Sequence, residues 1–202
     1  IPGIYMLQFY NAIANDGKMM RPYIVDYIEK DGDILWKQKP TVINPKICKE
    51  STLKAVRHAL EGVVERGTAA GKPGLPGAKS KKVKIAGKTG TAQRYNTVTR
   101  NYVGAGHNVS FAGYFPADDP EYCGIVVIDA RPGGNFGRPG GGYMAGPVFK
   151  SFAEQIWAIK CNKSVKDITP DTIHAMGPSV KNGPLSMTKH VLSALDLDTV
   201  KF

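Results

Sequence analysis

Lys88-Thr89-Gly90-Thr91, followed by Ala92-Gln93, is the stretch whose residue types and spacing could do chemistry. The lysine offers a fixed cation and the threonines offer hydroxyls, a set suited to gripping a carboxylate through charge-assisted hydrogen bonds. Glycine between the threonines leaves a strand wall bare, so a ligand backbone could lie along it. Gly87-Lys88-Thr89 also matches the end of a phosphate loop, GxxxxGK[ST]. That motif requires a glycine five residues earlier, where Lys82 stands, and a helix opening directly after the threonine. GTAQRYNTV, with its β-branched residues, is a poor helix start, so the phosphate reading is not expected. Four letters alone also fit an ordinary strand, and the surroundings must decide.

The 202-residue chain carries 27 Lys plus Arg against 17 Asp plus Glu, a net charge of +10. No acid falls between Glu65 and Asp118, whereas Arg66, Lys72, Lys79, Lys81, Lys82, Lys84, Lys88, Arg94 and Arg100 do. Such a field attracts phosphates or carboxylates. Recognised nucleic-acid-binding modules are missing, so most of these lysines are expected to be solvated loop charges and no nucleic-acid partner is expected. At 42% hydrophobic and 22% charged, the composition is that of a folded globular protein. No apolar run reaches the roughly 20 residues needed to cross a bilayer. Ile1-Pro2-Gly3-Ile4 reads neither as a start nor as a signal peptide, so the chain is expected to be a part of something longer. Cys48, Cys123 and Cys161 are widely spaced and expected as buried free thiols; His58, His107, His174 and His190 show no metal spacing, and no metal or cofactor is expected. Asp118-Asp119 reads as turn chemistry, and Asp129 ends an apolar strand without an evident partner.

The elements that must position the tetrad follow from periodicity. Residues 5–16 predict a helix stopped by Gly17, and 52–65 predict an amphipathic helix with Ser51 as its N-cap and Gly67 as its stop. Residues 22–28 and 34–38 predict strands joined by an Asp31-Gly32 turn. A Gly/Pro/Lys loop over 67–82 precedes strands at 83–93, 108–115 and 122–130, the last two as an antiparallel hairpin. The unbroken IVVID of the last strand predicts cover on both faces. Residues 131–146 hold seven glycines and two prolines, and Pro147 is expected to open a helix. Residues 161–185 read as a linker, and 186–197 as one short helix capped by Ser186.

In order and spacing, five segments resemble the C-terminal part of the transpeptidase domain of class B penicillin-binding proteins. They are YMLQFYNAIANDGKMMRPYIV, LKAVRHALEGVVERGTA, KIAGKTGTAQ, SFAGYFPADDPEYCGIVVIDARP and GGYMAGPVFKSFAEQI, together covering about residues 3–160. The resemblance implies an α/β (α+β) fold, antiparallel strands flanked by helices, forming the KTG side of the β-lactamase/transpeptidase-like fold. It implies a domain over 1–160 and a linker or extension over 161–202. Lys88 and Thr89 would hold the carboxylate of a stem peptide or β-lactam, Thr91 would assist by its hydroxyl, and Gly90 would leave room for the acyl-peptide. The Thr91 backbone N–H would be one oxyanion donor. The family pattern also needs SxxK and SxN. Ser51-Thr52-Leu53-Lys54 lies in the helix before KTG and Ser186-Met187-Thr188-Lys189 lies after it, both misplaced for the nucleophile, and no Ser-x-Asn or Tyr-x-Asn occurs. The nucleophile is therefore expected outside this chain. The intact protein would be a membrane-anchored peptidoglycan D,D-transpeptidase on the outer side of the cytoplasmic membrane, within a cell-wall synthesis complex. A transpeptidase-like binding module lacking catalysis is the alternative.

Overall fold

Two helices, a three-stranded sheet and a third helix form the frame, and each follows from local sequence. The computed structural model describes residues 2–102, 104, 106–131 and 139–163. Helix α1 (Gly3–Ala14) ends where Asp16 and Gly17 take left-handed φ of 50° and 80°, and the Gly17 N–H returns to Ala12 O at 2.8 Å. β1 (Met19–Met20) pairs with β4 (Val42–Asn44), a short antiparallel contact the sequence pattern does not reveal. Between them, β2 (Tyr27–Lys30) and β3 (Asp33–Lys37) form the expected hairpin. Asp31 and Gly32 both sit at positive φ, 54° and 87°, as a tight two-residue turn of this hand requires. The predicted strand at 22–28 is thus shifted to 27–30, because pairing is set from the turn outwards.

Helix α2 (Glu50–Glu65) begins earlier than predicted. The Lys49 carbonyl accepts the Leu53 N–H at 3.0 Å, so Lys49 is the cap residue and Ser51 lies inside the first turn, not at the N-cap. Glu50 contributes a carboxylate to that turn, the favourable end of the helix dipole, and pairs with Lys54 at 2.8 Å. Arg57 ties α2 to α1. Its guanidinium donates to Ile13 O at 2.8 Å and Ala14 O at 2.7 Å, carbonyls that α1 leaves without helical partners, and pairs with Asp16 at 3.0 Å. Charged hydrogen bonds of this kind are worth about 1.5–3 kcal/mol each. Arg57→Ala is expected to lower unfolding free energy by about 2–3 kcal/mol, read as a lower urea midpoint at unchanged slope.

The sheet runs β5 (Ala86–Gln93), β6 (His107–Phe115) and β7 (Tyr122–Ala130), all antiparallel, in that order, so β5 is an edge strand. Period-two alternation divides its side chains between two packed layers. On one face Phe111 and Phe115 meet Phe149, Ala145 and Ala153 of α3 (Gly141–Lys163), with Val64 and Ile85 completing the cluster. On the other, Ala86 and Tyr114 meet Ile13 of α1, Leu53 and Leu60 of α2, and Ala117. β7 is covered on one face by the α3 cluster and on the other only near its start, where Cys123 packs against the α1 side and its thiol meets Leu7 O at 3.7 Å. Val126 and Ile128 pack against the α3 cluster, while Val127 is 58% exposed on the opposite face beside Asp129. The expected two-sided cover of IVVID is corrected accordingly.

α3 starts at Gly141, six residues before the predicted opening, and Pro147 lies within it. Residues 141–146 are helical because bare glycines let the first turns press on neighbouring backbone. A Cβ on Gly142 would collide with Thr68 O, and one on Gly146 would crowd Ala78 N at 3.2 Å. Cys48 and Cys123 are half-buried free thiols and Cys161 is exposed, contrary to the burial expected for all three. Burial pushes the Cys123 thiol up to about 12. The chain divides into compact units at Ile1–Trp157 and Ala158–Phe202. The predicted helix 186–197 and Ser186 lie outside the described residues.

Candidate active site

The tetrad lies on the edge strand β5, and alternation sorts its side chains. Thr89 and Thr91 share the α3 face with Gly87, whose bare Cα the Phe111 ring covers; a Cβ there would come within 2.6 Å of that ring. Lys88 and Gly90 share the other face, where the Ser110 hydroxyl fills the space a Gly90 side chain would need. The backbone alternates too. Gly90 pairs with Ser110, and a Cβ at Gly141 would lie 2.5 Å from Gly90 O, which places that carbonyl toward β6 under the first turn of α3. Thr89 O faces the free edge, where the Lys88 ammonium donates to it at 2.8 Å. In an antiparallel strand the outward direction recurs every second residue, so the Thr91 N–H also points off the open edge.

Thr89 and Thr91 line a groove of about 860 Å³. Its other walls are Thr68 and the loop carrying Lys72 and Leu75, together with Tyr143 from α3. Three polar contacts organise the hydroxyls. Thr68 Oγ1 lies 2.9 Å from Thr89 Oγ1, the Gly141 N–H donates to Thr91 Oγ1 at 3.3 Å, and the Lys88 ammonium reaches Thr89 Oγ1 at 3.4 Å. Lys88 therefore stands on the rim, curled around the strand edge toward Thr89, rather than in the groove wall. The Tyr143 hydroxyl is buried with no hydrogen-bond partner among the described residues. Sequence reasoning missed Thr68, Tyr143 and Gly141. The one available signal was the density of glycine at 140–146, which marks close backbone approach as well as turns.

Ion pairs absorb much of the basic run. Lys79 pairs with Glu65 at 2.7 Å, Lys82 with Glu154 at 3.2 Å, and Lys84 with Glu61 at 3.0 Å. Asp129 finds its partners in Arg94 at 2.6 Å and Arg131 at 3.1 Å. Hydrogen bonds from Arg131 and then Arg94 hold its carboxyl below the usual range. This cluster is exposed and joins the end of β5 to β7, so Asp129 is structural on this geometry. Among the described residues neither Lys72, which lines the groove, nor Lys88, at its rim, enters an ion pair. No group of three or more His, Cys, Asp or Glu side chains is gathered for a metal among the described residues. Ser51 sits at the opposite end of α2 from the turn that leads to Thr68. At 1.5 Å per residue the fourteen residues to Glu65 span about 21 Å, and Lys54 is engaged by Glu50 rather than by Ser51. A second cavity, of about 470 Å³, lies between α1, Met20–Tyr23 and the start of β7, and gathers no nucleophile–base pair.

The sequence and the fold have relatives among known proteins. Residues 3–154 match the family described as the penicillin binding protein transpeptidase domain. The chain is 33% identical over 152 residues to penicillin-binding protein PbpB of Mycolicibacterium smegmatis, covering 74% of this chain and 23% of that protein. It is 33% identical over 171 residues to the peptidoglycan D,D-transpeptidase FtsI homolog of Mesostigma viride, covering 78% and 27% respectively. Among solved structures it resembles penicillin-binding protein 3 of Mycobacterium tuberculosis complexed with aztreonam, with TM-score 0.60 and 29% identity over 84% of this chain and 37% of that one. The chain spans about a quarter of the length of the curated relatives it matches. An edge strand bearing Lys-Thr-Gly-Thr, the helices that flank it and a profile match over three quarters of the residues agree: this chain belongs to the penicillin-binding protein transpeptidase family.

Proposed function

We propose that this chain is the KTG wall of a peptidoglycan D,D-transpeptidase, the nucleophilic serine and its lysine being supplied by another part of the parent protein. Residues 1–160 then belong to the catalytic domain and 161–202 extend it. The substrate is the C-terminal D-Ala-D-Ala end of a stem peptide, and β-lactams compete for the same place. The parent acts at the outer face of the cytoplasmic membrane, held by an anchor and working with other cell-wall synthesis proteins. No helix among the described residues is long and apolar enough to cross a membrane.

One observation carries the reading. Lys88, Thr89 and Thr91 converge on the open edge of one strand, with the Thr91 N–H directed off that edge. The peptide carboxylate is held by the Thr89 and Thr91 hydroxyls and the Lys88 charge. That contact lays the acyl-peptide along β5 as an added antiparallel strand, its scissile carbonyl toward the Thr91 N–H. As the serine adds, negative charge grows on that oxygen, and an aimed N–H donor lowers the barrier by roughly 3–4 kcal/mol. The D-alanine leaves, and an amine from a second stem peptide attacks the acyl-serine to close the cross-link.

The test is fluorescent-penicillin labelling. The full-length parent is expected to form a stable covalent adduct on a serine outside residues 1–202, while this chain alone forms none. A labelled parent whose adduct maps to Ser51 would relocate the nucleophile. A parent that binds penicillin without acylation would make the domain a binding module.

A further inference from the structure

The hydrogen bond between Thr68 and Thr89 is the contact at the groove that the catalytic reading does not use. Thr68 follows α2 on a different element from β5, yet its hydroxyl lies 2.9 Å from Thr89 Oγ1. Thr89 Oγ1 also receives the Lys88 ammonium, at 3.4 Å. A hydroxyl oxygen has one proton to give and two lone pairs to fill. With the ammonium on one lone pair and the Thr68 O–H on the other, the single Thr89 proton is left to point into the groove. Without a second hydroxyl there, the Thr89 side chain would satisfy itself otherwise, by rotating its proton to a nearby carbonyl or to water.

We propose that Thr68 is a positioning residue: its hydroxyl donates to Thr89 Oγ1 and so commits the Thr89 proton to the ligand carboxylate. In the empty groove the same pair can reverse, Thr89 donating to Thr68, so neither hydroxyl is left unsatisfied before ligand arrives. Thr91 is set in the same way by a fixed donor, the Gly141 N–H at 3.3 Å, which leaves its O–H free for the groove. Both carboxylate-facing hydroxyls are thus aimed by groups from outside the strand. Thr68 reaches Thr89 from the end of α2, so the placement of this helix is coupled to the recognition of a negative charge.

This inference rests on the carboxylate role of β5, and the experiment separates the two. The full-length parent and its variants Thr68→Val, Thr68→Ser, Thr89→Val and Thr68→Val/Thr89→Val are each acylated by a penicillin with its free carboxylate and by the methyl ester of the same penicillin. The ratio of the two second-order rates is compared, because it cancels the fraction of protein folded. Thr68→Val is expected to lower the ratio by about 5- to 10-fold, the size of one neutral hydrogen bond. Thr68→Ser is expected to restore it, and the double variant is expected to fall no further than Thr89→Val alone. An unchanged ratio in Thr68→Val beside a lowered one in Thr89→Val would overturn the positioning role while sparing the carboxylate site. Additive losses in the double variant would overturn it too, making Thr68 a separate contact. An unchanged ratio in Thr89→Val would take Thr89 out of the carboxylate contact and overturn the positioning role with it, leaving the site itself to be judged by Lys88→Ala. If Thr68→Val does not fold, Thr68→Ala is read by the same ratio with the same three outcomes.

Discussion

Lys88→Ala in the full-length parent is expected to lower the second-order rate of acylation by a free-carboxylate penicillin roughly 10- to 150-fold, leaving the melting temperature in place. A charge-assisted hydrogen bond is worth about 1.5–3 kcal/mol, and each 1.36 kcal/mol is a factor of ten in rate. Stability is spared because the lysine is exposed and enters no ion pair among the described residues. Its ammonium rests on Thr89 O and touches Thr89 Oγ1, both on the strand's own edge. The contact with Thr89 O is local and solvated, so on the proposed reading a ligand carboxylate replaces it at little cost while the ammonium keeps Thr89 Oγ1. Stopped-flow acylation beside thermal unfolding checks both halves. A Lys88→Ala parent acylated at the wild-type rate would take this residue out of the site, whatever its melting temperature.

A second large effect is expected where no functional side chain exists. Gly141→Ala puts a methyl into Ser110 O and within 2.5 Å of Gly90 O, backbone atoms at the centre of the β5–β6 ladder. Nothing flexible can yield, so the first turn of α3 must lift away. Overpacking of this kind costs about 1–3 kcal/mol, and the Gly141 N–H that fixes Thr91 Oγ1 moves with the turn. Acylation of the full-length parent by a free-carboxylate penicillin is expected to drop by at least tenfold, together with a lower urea midpoint. The contrast is Gly3→Ala, at a helical position where an added methyl meets nothing within 4 Å. There the smaller entropy of alanine in the unfolded chain is expected to stabilise by about 0.4–1 kcal/mol with acylation unchanged. Equal behaviour of the two variants would show that α3 does not brace the strand.

The labelled words of the sequence and the silent ones divide along a physical line. Lys88, Thr89 and Thr91 were legible because their chemistry is carried by side chains within four consecutive residues. The Asp31-Gly32 hairpin was legible because left-handed φ at two successive positions admits few residue types. β5, β6 and β7 are legible because alternation in the first two and an unbroken β-branched run in the third are local patterns of eight or nine residues. The early start of α3 was misread, since glycine is a poor helix former by propensity and the helix is held by what it packs against. The cap of α2 was misread by two residues, because Lys49 supplies a carbonyl that any residue type could supply.

What the sequence by itself determined is the kind of chemistry on offer, a cation and two hydroxyls on a strand, and the order of elements around it. Only the tertiary structure decided which face each group takes, that Lys88 stands at the rim, that Thr68 meets Thr89 across 21 positions, and that Asp129 answers Arg94 from 35 away. The reason is distance along the chain. Side-chain type and period-two or 3.6-residue repeats act over one or two turns, whereas a hydrogen bond between remote residues depends on every packed layer that brings their backbones together.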